Sequence, residues 1–219
     1  MIASDVQIAL DYGSVFVFAL TGALVASRGQ LDLVGFIFFA VVTAVGGGTI
    51  RDLLLGRPEI FWVARPNLLL AASAAAIIVF FTAHLLESRY SALLWFDALA
   101  LAIAVPAGVD YAMGAGFGPI IVVVAGVITA SAGGLMRDVI SNEVPLILKQ
   151  GELYLTAAFG GAVAALAVHA CGLDRDWALI SCGIVTFTLR AGSMNWGWKL
   201  PVYRAAPPRV IPGIDPDEP

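Results

Sequence analysis

Long runs of apolar residues, separated by short polar connections, make up most of this chain. A membrane-crossing helix needs about 20 predominantly apolar residues, and seven runs approach that length. Polar segments such as Arg28–Asp32 and the Glu87-Ser88-Arg89 connection mark the boundaries between runs. The predicted spans cover about residues 6–27, 33–55, 67–86, 93–113, 117–140, 153–171 and 177–192.

The second part of the sequence repeats the first at a shift of about 86 residues. Residues 44–52 read Ala-Val-Gly-Gly-Gly-Thr-Ile-Arg-Asp, and residues 130–138 read Ala-Ser-Ala-Gly-Gly-Leu-Met-Arg-Asp. The same shift places Asp11 on Asp97. Each copy holds three spans, and because three is odd, the second copy should enter the membrane from the opposite side.

The predicted fold class is an all-α polytopic membrane protein. Seven transmembrane helices form two inverted three-helix repeats plus a seventh helix, and glycines break the second and fifth helices. We expect a single transmembrane domain followed by a disordered cytoplasmic tail. The predicted limits are 1–192 for the domain, about 6–86 and 92–171 for the repeats, about 177–192 for the extra helix, and 193–219 for the tail.

Composition and charge fit a lipid environment. Apolar residues account for 60% of the chain and charged residues for 13%, with a mean hydropathy of +0.91. The net charge is −4, and no nucleic-acid partner is expected. Basic residues concentrate on the side that holds the C-terminus, which predicts a cell inner-membrane protein with its N-terminus outside and its C-terminus in the cytoplasm.

Two glycine runs at matching positions are the main candidates for function. Glycine weakens a helix by roughly 1 kcal/mol per residue, and a broken membrane helix exposes carbonyl groups that are tolerated only inside protein or along a water-filled path. We therefore expect a cation pathway at the two breaks; close helix packing is the alternative. Hydroxyl groups beside the breaks either face the path or bond back to their own helix. The candidates are Gly46, Gly47, Gly48, Ala132, Gly133, Gly134, Thr43, Thr129 and Ser131.

Each glycine run is followed by an Arg-Asp pair. Ionisable residues at membrane depth are costly and are functional candidates by default. Because neighbouring residues of a helix point in different directions, we predict bridges between the repeats, Arg51 with Asp138 and Arg137 with Asp52. The alternative is that these arginines lie at the membrane interface. Pro106 should free a carbonyl and bend the fourth span.

The two Gly-Arg-Asp motifs, together with Phe61-Trp62 after Pro58 and Glu143-Val144-Pro145 after the second motif, resemble the prokaryotic trimeric intracellular cation (TRIC) channels. The resemblance implies a homotrimer in lipid, possessing one pore per protomer along the second and fifth helices. The resemblance also implies that the permeant ion is potassium. No cofactor is expected, and no metal beyond the transient cation. Bound lipid is a further expectation. Related sequences labelled as glycine transporters leave a small-solute carrier as the alternative. An enzyme is not expected, because nucleophiles and bases lack reactive spacing.

Overall fold

A computed structural model of the chain describes residues 5–86, 88–149 and 153–201 and is almost wholly helical. Six of its helices are long and apolar enough to cross a membrane, so the chain is a multi-pass membrane protein. The predicted span after residue 152 is a shorter apolar helix of 16 residues. The α-helices are α1 (Asp5–Arg28), α2 (Leu33–Leu54), α3 (Phe61–Ala64), α4 (Asn67–Thr82), α5 (Arg89–Gly114), α6 (Pro119–Ile140), α7 (Leu155–Ala170) and α8 (Arg175–Trp196).

Helices α1 and α5 form the centre of the bundle. In each, 61% of the most apolar segment is buried, against 44% in α2 and in α6. Helix α1 packs against α2 and α4, and α5 packs in the same way against α6 and α7. We call α1–α4 the first half and α5–α7 the second half. Helix α8 packs against α5 and α7 and therefore adds to one half only.

The two glycine runs do not break their helices, which corrects the prediction at Gly46–Gly48 and at Ala132–Gly134. Both α2 and α6 are continuous through these residues. The glycines instead let the two helices cross with their backbones in contact. A Cβ atom on Gly47 would lie 2.0 Å from the carbonyl oxygen of Thr129, and one on Gly133 would lie 2.2 Å from that of Thr43. Thr43 of α2 faces Gly133 of α6, and Gly47 faces Thr129. Residue numbers therefore rise along α2 as they fall along α6, and the helices cross antiparallel.

Pro106 lies inside α5, and the helix continues through it. Proline has no amide hydrogen, so the carbonyl of Ala102 lacks its usual helical donor. That carbonyl faces α8, where a Cβ atom on Gly183 would lie 2.9 Å from its oxygen. The proline and the glycine together allow α8 to pack closely on α5.

The end of α8 corrects the predicted start of the tail. The helix continues to Trp196 and ends at Gly197, whose φ of 66° suits glycine. The ring of Trp198 then lies against Gly192. Residues 193–201 therefore belong to the folded part, and the rest of the predicted tail, 202–219, lies outside the described residues.

Candidate functional site

The first Arg-Asp pair belongs to a buried charge cluster of the first half, formed by Asp11, Arg51 and Asp52. Arg51 donates from Nε to Oδ1 of Asp52 over 2.8 Å, and its Nη1 lies 3.9 Å from Oδ1 of Asp11. All three side chains are at most 2% exposed. We call this set the first cluster. Charges this deeply buried need partners, and here each carboxylate faces a guanidinium.

The segment after α2 closes over the first cluster. Oδ2 of Asp52 accepts a hydrogen bond of 2.8 Å from the amide of Phe61 at the start of α3. Arg57 approaches the same oxygen at 3.5 Å. Arg65 donates to Oδ2 of Asp11. These contacts fix both carboxylates, so the cluster is a rigid part of the fold.

The second half repeats the arrangement with Asp97, Arg137 and Asp138, which we call the second cluster. Arg137 donates from Nε to Oδ1 of Asp138 over 2.7 Å and from Nη1 to Oδ1 of Asp97 over 3.0 Å. The amide of Leu146 donates to the other oxygen of Asp138 over 2.8 Å. The duplication thus extends from the sequence to individual hydrogen bonds.

The predicted bridges between the halves are incorrect: Arg51 pairs with Asp52 instead of Asp138, and Arg137 pairs with Asp138 instead of Asp52. The expectation failed because an arginine stem is long enough to turn its guanidinium onto the next residue. Both arginines are buried, with side chains at most 1% exposed, so neither extends its guanidinium along the protein surface toward the membrane interface. The halves still meet at Thr21 of α1, whose hydroxyl accepts a 2.9 Å bond from Arg137.

Hydroxyl groups at the helix crossing bond to their own helices. Thr43 and Thr129 each donate over 2.6 Å to the carbonyl four residues earlier, and Ser131 does so over 2.7 Å. This agrees with the back-bonding alternative for the hydrogens. The hydroxyl oxygens retain lone pairs that can face a cation.

A narrow cavity connects the first cluster to the helix crossing. It is lined by Asp11, Ser14 and Arg51 of the first half and by Ala104 and Thr129 of the second half. The space that a water molecule can occupy is about 10 Å³, which is room for about one water. Along α1, Asp11 and Thr21 are ten residues apart, so the two clusters are separated by about 15 Å, at 1.5 Å per residue. The cavity is partly polar and extends from the first cluster toward the second half, which makes it a candidate path for a small solute.

Comparison with protein families supports the division of the chain into two related halves. The model of a family described as "Glycine transporter" matches the chain twice, over residues 8–84 and 94–170. The UPF0126 inner membrane protein YadS of Escherichia coli K12 is 38% identical over 199 residues, which are 89% of this chain and 94% of that protein. The UPF0126 membrane protein YvgT of Bacillus subtilis is 33% identical, over 85% of this chain and 91% of the relative.

Solved structures settle the family. A TRIC trimeric intracellular cation channel orthologue from Rhodobacter sphaeroides superposes with a TM-score of 0.85 at 45% sequence identity, over 89% of this chain and all of that one. The chain belongs to the TRIC family. A prokaryotic TRIC channel crystallised in 0.5 M KCl has a TM-score of 0.81 at 28% identity, over 89% of this chain and 98% of its own. In this chain the TRIC fold holds both clusters and the cavity that joins the first cluster to the helix crossing.

Some residues of these sites in this TRIC protein were not among the site residues predicted from the sequence. Asp11 and Asp97 were matched by the 86-residue shift, with structural roles favoured over ion contact, and they are the second carboxylates of the two clusters. Arg65 and Arg190 carry no such signal, because Arg65 corresponds to a glycine and Arg190 lies outside the repeat. Arg190, expected at the end of the last span, is fully buried in α8, and its guanidinium lies 5.2 Å from the ring centroid of Tyr154.

Proposed function

We propose that this protein is a channel for monovalent cations, chiefly potassium, which flow passively between its two halves. The cavity that leads from the first cluster to Thr129 carries the proposal, because both halves contribute polar atoms to it. The solved relatives are described as cation channels, which supports the same reading. The TRIC family consists of channels, and we assign no catalytic role to this chain.

The roles proposed for the site residues follow the geometry. Gly47 and Gly133 set how closely α2 and α6 approach, and so set the width at the crossing. Of the three hydroxyl residues proposed to contact the cation, Thr129 lines the cavity, and Thr43 and Ser131 would add weak contacts farther along the path, as conduction requires. The Arg-Asp pairs at 51–52 and 137–138 stabilise the two ends of the proposed ion path. In each pair the aspartate neutralises the arginine, so the arginine does not repel the ion.

The arrangement of the halves supports an inverted repeat. Antiparallel crossing of α2 and α6 is the geometry expected for copies related by a pseudo-twofold axis in the membrane plane. We propose that α7 is the remaining span, since its partner α4 has the same length of 16 residues. When the buried Arg190 is left out of the count, the side that holds the C-terminus still has more basic residues, which favours a cytoplasmic C-terminus. The assembly proposed from the family name is a homotrimer in the inner membrane, with a pore in each protomer, surrounded and bound by lipid.

A glycine carrier is the second candidate, because the matching family model bears that description. A carrier needs one site with partners for both the carboxylate and the ammonium of glycine, and two exclusive conformations. The cavity is small, and the charges of Asp11 and Arg51 already face protein groups. These contacts favour the channel, which requires no cofactor and only the permeant ion.

Recording current from the purified protein in planar bilayers with asymmetric potassium chloride tests the proposal. We expect discrete openings that reverse close to the potassium equilibrium potential. Ser14→Leu places a larger apolar side chain in the cavity and should reduce the single-channel current several-fold. Ser73→Leu is the matched control, since Ser73 lies on α4 and outside the residues that line the cavity.

Two results would contradict the channel. One is silence in the bilayer together with saturable glycine uptake into liposomes, which would establish the carrier. The other is an equal current in wild type and Ser14→Leu, which would place the ion path outside the cavity.

A further inference from the structure

The two halves differ at the glycine that follows the helix crossing. In the first half, Gly48 lies against the ring of Phe61, and the cavity reaches both residues. In the second half, Gly134 holds the corresponding position and faces the hydroxyl of Tyr154. A Cβ atom on Gly134 would lie 3.2 Å from that hydroxyl, and 3.6 Å from both Nη2 of Arg137 and Oδ1 of Asp97. The tyrosine hydroxyl therefore reaches into the second cluster.

Helix α8 holds Tyr154 in this position. The tyrosine is only 2% exposed, and the Arg190 guanidinium lies over its ring. The preceding amide, of Leu153, donates a 3.0 Å hydrogen bond to Oγ of Ser193. Both α8 residues lie outside the duplicated part of the chain, so the first half has no equivalent of this support.

We propose that Tyr154 closes the end of the ion path at the second cluster, which we call the second mouth, and that Arg190 and Ser193 of α8 keep it closed. The proposal rests on the proposed channel function and adds the residue that limits flow. At the first cluster the cavity extends to Gly48 and the ring of Phe61, whereas at the second cluster the space beside Gly134 is taken by Tyr154, whose hydroxyl lies near charged groups. An ion leaving past the second cluster must wait until that ring moves.

The hydroxyl and the ring contribute separately to closure. The hydroxyl lies beside Gly134 on the same side as Arg137 and Asp97, and a hydrogen bond to either charged group would be stronger than one between neutral groups. The ring fills space beside Gly134. Loss of the hydroxyl should therefore weaken the closed state, whereas loss of the whole side chain should remove the obstruction.

Single-channel recording in asymmetric potassium chloride tests this separation. Tyr154→Phe should raise the open probability several-fold and leave the single-channel current unchanged. Tyr154→Ala should give a channel that is open most of the time. Tyr12→Phe is the matched control, because Tyr12 is a partly buried tyrosine of α1 outside both clusters, and it should behave like wild type.

A second measurement does not depend on current. Ala100 occupies in the second half the position of Ser14 and is fully buried. In a background with Cys171→Ser and Cys182→Ala, a cysteine introduced by Ala100→Cys should react with a cationic methanethiosulfonate reagent at least 10-fold faster when Tyr154→Ala is added. Tyr154→Phe should increase the rate to a smaller extent, which keeps the test valid if the alanine variant fails to fold.

The outcomes separate the two proposals. A silent wild type refutes the channel, but the labelling rates still report whether Tyr154 covers the second mouth. A conducting wild type whose open probability and labelling rate are unaffected by Tyr154→Phe and Tyr154→Ala overturns the role of Tyr154 and leaves the channel intact.

Discussion

Replacing Gly47 with alanine tests whether the glycines serve the helix crossing. The added Cβ atom would lie 2.0 Å from the Thr129 carbonyl oxygen, whereas real Cβ contacts are essentially never under 3.0 Å. The helices α2 and α6 must therefore move apart by at least 1.0 Å, the difference between these distances. The obstacle is a helical backbone, which cannot rotate away as a side chain can.

The expected energy combines two opposing effects. Overpacking of a well-packed interior costs about 1–3 kcal/mol. Alanine favours a helix by about 1 kcal/mol over glycine and offsets part of this cost. The net loss is at most about 2 kcal/mol, which corresponds to a fall in Tm of up to about 8 °C for a chain of this size. Gly133→Ala should behave alike, since its Cβ atom would lie 2.2 Å from the Thr43 carbonyl oxygen.

Thermal unfolding in detergent, followed by circular dichroism, measures this change. Gly13→Ala is the matched control in α1, where the new Cβ atom would make an ordinary 3.4 Å contact with Ile103. Its Tm should stay the same or rise, because only the helix preference remains. If Gly47→Ala were as stable as Gly13→Ala, the close crossing of α2 and α6 would be refuted.

Two further predictions concern individual contacts. Thr49→Val removes the acceptor of the 2.9 Å hydrogen bond from Trp62 Nε1 and should lower the free energy of unfolding by about 1 kcal/mol. A double-mutant cycle with Trp62→Phe, measured by thermal unfolding, should show coupling between the two residues. Additive effects would exclude the bond. Exchange of charge by Arg51→Asp with Asp138→Arg should not restore stability, since each change breaks a separate buried pair at a cost of about 3–5 kcal/mol; a double variant that unfolds at the wild-type Tm would show that the two residues do pair.

The sequence predicted the parts of the fold that depend on regular spacing. Span positions follow from apolar length, and the correspondence of Asp11 with Asp97 follows from the duplication. Hydrogen-bond partners could not be predicted in this way, because the direction of a long side chain is not encoded in spacing. The pairing of Arg51 with its own neighbour is the clearest example.

The glycine runs show a second limit of sequence reasoning. Glycine lowers helix stability and also permits close contact, and the sequence does not say which effect decides. In lipid, an open backbone hydrogen bond costs several kcal/mol, more than the roughly 1 kcal/mol that each glycine loses. The helices therefore stay intact, and the glycines serve contact between Gly47 and Thr129. Arg190 was missed because α8 lies outside the repeat, and Tyr154 was missed because the corresponding residue of the first half is Leu68.

The pairing of Arg51 with Asp52, and of Arg137 with Asp138, also has a consequence for biogenesis. A charged side chain costs about 2.5–3.5 kcal/mol at the centre of an inserting helix on the scale of translocon-mediated insertion, and these pairs lie in the last turns of α2 and α6, where the cost is smaller. Because arginine and aspartate are adjacent and bonded to each other, each helix can enter the bilayer as an electrically neutral unit. The charges are then masked while the nascent chain is still being made, before any other helix has arrived to receive them.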